Sequence, residues 1–210
     1  MGNDTINIFR PFGPSIAKIE LPTSVVNSLN EYVEKIIIDE KKSQELDIGN
    51  TLVGNVKQEF ILEKDILEKS GFANFLQRGV TAWLQASINK KISKFNIRSS
   101  WIVRQFENEY NPIHYHSGHI SGVGYLKLPS DFGKTVQQNK KNKNGQISFI
   151  HGNRMFNSSS IHTVQPKVGE FWLFPHYLMH TVYPFYGNDE RRSVSFNADV
   201  DQDIYNVYEG

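Results

Sequence analysis

The sequence predicts a mainly β protein with α additions, and three observations carry that expectation. From Phe95 onward apolar and polar residues alternate with a period of two, as in Trp101-Ile-Val-Arg-Gln-Phe. Turn-forming stretches such as Pro166-x-x-Gly169 and Gly187-Asn-Asp-Glu190 punctuate these runs. Ahead of Phe95, apolar residues instead recur every three to four positions, the period of helices that pack on one face of a sheet.

In order, Ile6–Phe9 and Ile16–Leu21 read as short strands broken by a Pro11–Pro14 turn. Pro22-Thr-Ser24 opens a helix that Val25, Leu29, Val33 and Ile36 carry to about Lys42. Leu46–Lys57 is a polar, glycine-containing loop placed to lie over a barrel mouth. The helical period resumes from Phe60 and runs through Ile66, Phe72, Phe75, Leu76, Val80, Trp83, Leu84 and Ile88, with a break at Ser70-Gly71. In the strand-rich half, Lys134–Gln146 holds lysines among asparagine and glutamine and reads as a solvated hairpin loop.

The chain has 210 residues, 23 basic against 22 acidic, so its composition gives no electrostatic footprint for nucleic acid or an anionic membrane. With no cysteine, disulfides, thiolate metal sites and thiol nucleophiles are excluded, and histidine or carboxylate must carry any metal. The start, MGNDTINIFRPFG, lacks basic and apolar signal regions, and no stretch reaches the ~20 apolar residues of a membrane-spanning helix. The expectation is a soluble, cytoplasmic protein. Oligomeric state is not readable.

Two separated stretches carry candidate chemistry. Asn111–Leu128 places His114 and His116 two residues apart, a spacing that sends both imidazoles to one side of an extended segment. Gly169–Asn197 adds His180, then Arg191 and Ser193. Three imidazoles on one face suit a first-row divalent metal with open positions, and an arginine fork suits a carboxylate. Alternation puts Ser193 and Ser195 on the face of Arg191 and sends Arg192 outward. His119 is an alternative ligand should the strand bulge, while His151, His162 and His176 fall outside the pattern as surface or capped residues. Trp101, Gln105, Tyr110 and Asn111 are candidates either to face the cavity or to pack.

His114-Tyr-His116, the following ISGVGYL, Pro166-x-x-Gly169, Phe174-Pro175, His180 and Arg191-x-Ser193 together resemble the iron(II)- and 2-oxoglutarate-dependent oxygenases, over Trp101–Asn197. The resemblance implies a double-stranded β-helix (jelly roll) as one domain over 1–210. Residues 1–94 would give strand and helical support, and 95–200 the barrel core with the metal site. It implies Fe(II) held by His114, His116 and His180. It implies 2-oxoglutarate held at its far carboxylate by Arg191 and Ser193, with Tyr125 matching a position that bonds the same group in prolyl-hydroxylase-like members. Most members carry Asp or Glu where this chain has His116, so the centre is one negative charge short. Neutral ligands should strengthen attraction for dianionic 2-oxoglutarate, and by intrinsic affinity they also suit nickel, copper or zinc.

The implied activity is hydroxylation of a small-molecule or peptidyl substrate by dioxygen, with succinate and CO2 as co-products. Two other readings share the features. A cupin-type metal-dependent dioxygenase or isomerase has an H-x-H pair and a barrel, but usually adds a glutamate where Ile120 and Ser121 stand. A non-catalytic metal-binding jelly-roll module needs only the histidines.

Overall fold

The computed structural model describes residues 6–9, 13–135, 137 and 139–206. Residues 1–5 of the start, Pro11 and Phe12 of the expected turn, and Val136 and Gln138 of the lysine-rich stretch lie outside them. The chain runs β1 (Ile6–Phe9), β2 (Ile16–Glu20), α1 (Thr23–Ile37), α2 (Glu40–Leu46), β3 (Gln58–Ile61), α3 (Lys64–Lys69), α4 (Phe72–Ile88) and β4 (Phe95–Gln105). It continues through β5 (Asn111–His114), β6 (Ile120–Lys127), β7 (Ile147–Ile150), β8 (Ile161–Val164), β9 (Glu170–Pro175), β10 (Met179–Val182), β11 (Arg191–Val200) and α5 (Gln202–Tyr205).

The strands form two antiparallel sheets, one in the order β1-β2-β9-β6-β11-β4-β3 and one in the order β5-β10-β7-β8. Alternation gives the larger sheet two working faces. Leu126, Phe171, Leu173, Val194 and Phe196 face α1, α3 and α4 in one apolar core. Val123, Tyr125, Trp172 and Phe174 face the other way and close over Ile147, Phe149, Val164 and Val182 of the smaller sheet. Each such aromatic or aliphatic side chain contributes roughly 1.5–3 kcal/mol on burial. Two facing antiparallel sheets with helices on one outer face make the expected jelly roll.

Gly122 and Gly124 in β6 let the aromatic layer sit flat on the strand. A Cβ at Gly122 would come within 2.6 Å of Phe196 and 2.7 Å of Phe171, and one at Gly124 would overlap the Phe171 ring. Their absence lets Phe171 pack at ring-centroid distances of 5.8, 5.4 and 5.9 Å from Phe72, Phe75 and Phe196. β6, which bears Tyr125, is thereby pinned against the helices.

Four expectations need correction. The first helix stops at Ile37, because the Asp39 side chain accepts from Lys42 N at 3.0 Å and starts a second helix. The segment around Phe60 is a strand, β3, paired to β4, and the helical period begins only at Lys64. Lys134–Gln146 is not a hairpin loop, since it joins β6 of one sheet to β7 of the other. Arg192 does leave the barrel interior, but α1 covers that face and the side chain is buried. Its guanidinium reaches Glu190 Oε1 and Oε2, both at 2.8 Å, Glu34 Oε1 at 2.8 Å and Asn30 Oδ1 at 3.0 Å. The break at Ser70-Gly71 falls where expected.

Candidate metal centre

His114 ends β5 and His180 lies in β10, where the two are direct cross-strand partners. His116 follows β5 by two residues, and its backbone is tied at both ends to the turn after β9. Its N–H donates to His176 O at 2.9 Å, and its carbonyl meets His176 Nδ1 at 3.0 Å. The three rings converge: one nitrogen from each of His114, His116 and His180 lies within 4.8 Å of the other two.

The backbone sets the protonation of the two paired rings. His114 Nδ1 sits 2.7 Å from Pro112 O and His180 Nδ1 sits 3.0 Å from Leu178 O. A carbonyl only accepts, so each Nδ1 carries the proton and each Nε2 keeps its lone pair. His180 Nε2 lies 3.2 Å from His116 Nε2. Burial, reinforced by the neighbouring imidazoles, pushes the His116 ring down to about 3 and that of His180 well below the ordinary value, and burial lowers His114 as well. All three are neutral at physiological pH, the form that binds a metal.

The same cavity is lined by Arg191, Ser193 and Ser195 together with Trp101 and Asn111. Ser193 pairs directly with Tyr125 across β6–β11, which sets Tyr125 on this inner face. Arg191 is only 1% exposed. Its Nε donates to Gly145 O at 3.1 Å and its Nη1 to Gln105 Oε1 at 3.2 Å. Its Nη2 and the Tyr125 hydroxyl are buried, have no partner beyond each other, and sit side by side, the Tyr125 ring centroid 5.1 Å from the guanidinium carbon. Burial holds the Tyr125 phenol up at about 12 despite the nearby positive charge, so it is a neutral donor. A buried guanidinium with no acidic partner, next to a neutral phenol donor, fits the oxygens of an anion.

The remaining candidates sort clearly. His119 is no part of the cluster: its ring stacks on Tyr205 at 4.0 Å and its Nδ1 accepts from Val200 N at 3.1 Å. His162 packs between Phe9 and Trp172 rather than at the surface. Gln105 anchors Arg191, and Tyr110 is partly exposed beside a bridge to Asn55. Sequence reasoning missed His176 as a brace of His116, because only the turn after β9 brings the two together. It also missed Glu59, buried in β3 at the edge of the same inner face.

A family model described as "Putative 2OG-Fe(II) oxygenase" matches residues 99–197. A search of curated proteins returned no match. Among solved structures, a Pseudomonas putida prolyl-4-hydroxylase is 15% identical with a TM-score of 0.53, over 87% of this chain and 91% of that one. A Trichoplax adhaerens prolyl hydroxylase in complex with a hypoxia inducible factor peptide fragment is 12% identical with a TM-score of 0.58, over 98% and 87%. HygX from Streptomyces hygroscopicus, solved with nickel, 2-oxoglutarate and hygromycin B, is 11% identical with a TM-score of 0.56, over 87% and 82%. These structures share the fold, while the family match spans the stretch that contains all three clustered histidines and Arg191. Over that stretch the chain is similar to the iron(II)- and 2-oxoglutarate-dependent oxygenases, whose members use Fe(II) and 2-oxoglutarate.

Proposed function

We propose that the protein is a dioxygenase that hydroxylates a C–H bond of a small-molecule or peptidyl substrate, converting 2-oxoglutarate and dioxygen to succinate and CO2. One observation carries the reading: a single cavity presents both the three neutral imidazoles and the Arg191 guanidinium, which has no acidic partner. His114, His116 and His180 would hold Fe(II). Arg191 and Ser193, with the Tyr125 hydroxyl, would hold the far carboxylate of 2-oxoglutarate. Bound iron with 2-oxoglutarate supplies the oxidising chemistry. The chain's own residues bind and orient. The Nδ1–carbonyl bonds of His114 and His180 keep their lone pairs aimed inward. Gln105 and the Gly145 carbonyl fix the arginine fork, and Trp101 and Phe174 shield the cavity from water.

Residues 1–210 would act as one domain, and the cytoplasm is the proposed compartment. No described helix is long and apolar enough to cross a membrane.

The test is anaerobic reconstitution with iron(II) and 2-oxoglutarate. The expected results are a weak visible charge-transfer band, succinate on admitting air, and loss of both in Arg191→Ala. A cupin-type enzyme would bind metal without responding to 2-oxoglutarate, and an inert metal-binding module would show neither band nor turnover.

A further inference from the structure

A cleft of ≈ 800 Å3 runs from His114 and His116 to Glu59, under the loop of residues 48–54. Glu59 is the sole Asp, Glu, Lys or Arg among the described residues that line it. Its partners across β3–β4–β11–β6 are Val103, then Ser193, then Tyr125, so its side chain shares the inner face with the proposed carboxylate site. The residue is 1% exposed, and its Oε2 is buried without a hydrogen-bond partner. The loop backbone at Gly54 lies against the carboxyl: a Cβ there would stand 3.1 and 3.2 Å from its two oxygens. The adjacent acid, Asp47, already accepts from Gly49 N at 2.9 Å and brings a second negative charge rather than a counter-ion.

Burying a carboxyl without a partner is costly, so one in a native fold calls for an explanation, and a ligand that meets it is one. Around Glu59 the cleft is apolar. Trp101 forms its wall, and Tyr115, Ile113 and Met179 stand exposed at its rim. Such a surface accepts an aliphatic stem, and the lone acid accepts what ends it.

We propose that the substrate carries a cationic nitrogen, ammonium or guanidinium, on an aliphatic stem, and that Glu59 pairs with this cation while the stem lies along the cleft toward His114 and His116. This rests on the oxygenase reading above for the direction of the stem, though the cation pairing stands on Glu59 itself. Burial, with Asp47 adding to it, raises the Glu59 carboxyl to about 7. A bound cation draws it back to the carboxylate, so a cationic partner gains the charge and a neutral one does not.

The probes are N-acetyl-lysine amide, N-acetyl-arginine amide and the neutral N-acetyl-norleucine amide, titrated calorimetrically into protein reconstituted anaerobically with iron(II) and 2-oxoglutarate. At least one cationic probe should bind wild type on the order of tenfold more tightly than the neutral one, and Glu59→Gln should shrink that preference to about twofold or less. Equal binding in wild type, a preference that survives Glu59→Gln, or no binding of any probe overturns the proposal. Should Glu59→Gln not fold, the 13C resonance of the Glu59 carboxyl in wild type serves instead: it should move as a cationic probe binds, and a fixed resonance overturns the pairing. Wild-type succinate formation reports separately on the oxygenase assignment. Its absence beside an intact cation preference would defeat that assignment and leave Glu59 standing.

Discussion

His114 and His180 face one another as cross-strand partners of β5 and β10, with ring centroids 4.2 Å apart. Two of the three histidines of the candidate metal site are therefore set on a strand ladder, while His116 is held beyond β5 by its bonds to His176. Replacing His180 by alanine would leave two of the three proposed ligands. Iron(II) affinity, measured by anaerobic calorimetry, should fall by more than the roughly 100-fold upper range found for losses of outer hydrogen-bond partners.

His176 belongs to that outer set, since it holds both the N–H and the carbonyl of His116. His176→Ala keeps the main-chain bond and loses the ring contact. The expected loss in metal affinity is about tenfold, with the fold's thermal midpoint changed far less. Unchanged metal affinity would remove His176 from the site.

Tyr125 separates binding from stability. Its hydroxyl is buried with no partner other than Arg191, so Tyr125→Phe should shift the melting temperature only slightly, if at all. The same change should weaken 2-oxoglutarate by about tenfold or more, because a hydrogen bond to a charged group is worth roughly 1.5–3 kcal/mol. Equal 2-oxoglutarate affinity in the two proteins would exclude the phenol from the carboxylate site.

Glu190 stands between two guanidinium groups, Arg104 and Arg192, each with Nε at 2.8 Å from its Oε1. Glu190→Gln strips the charge from a buried cluster that joins α1 to β11. A loss of about 3–5 kcal/mol is expected in denaturant unfolding, the cost of leaving Arg104 without its counter-charge and buried Arg192 with Glu34 alone.

Glu59 makes stability depend on pH in a defined direction. Its folded pKa is raised, from 4.5 to about 7, so between those values the folded state holds the proton that the unfolded chain releases. The neutral carboxyl is fully accommodated below about pH 4.5, and stability is lost as pH rises through about 7. Glu59→Gln should thus match wild type in acid and exceed it at pH 8 by roughly 1–3 kcal/mol, read from thermal melts of metal-free protein. A variant less stable than wild type at pH 8 would show that the carboxyl has a partner.

Much of the site was legible because its signals are local. The spacing of His114 and His116, the alternation through Arg191, Ser193 and Ser195, and the small residues of the SGVGYL strand all follow from the two-residue period of a strand. What sequence could not show depends on partners far along the chain. β3 has four residues, too few for a period to declare itself before the helical pattern of α3 begins. Alternation correctly placed Arg192 outside the barrel, but its burial depends on α1, more than 150 positions earlier. The lysine-rich Lys134–Gln146 stretch has hairpin composition, and composition is silent about which sheet receives the next strand.

The Arg191 fork is held by an amide oxygen and a main-chain carbonyl, neither of which carries charge. Its positive charge is therefore uncancelled by any acidic partner among its contacts, and a fitting dianion would cancel it. Loading should accordingly tighten the whole barrel, with a melting point that climbs as the dicarboxylate concentration rises. Succinate, leaving with the same terminal group by which its precursor entered, would linger there and slow the next cycle.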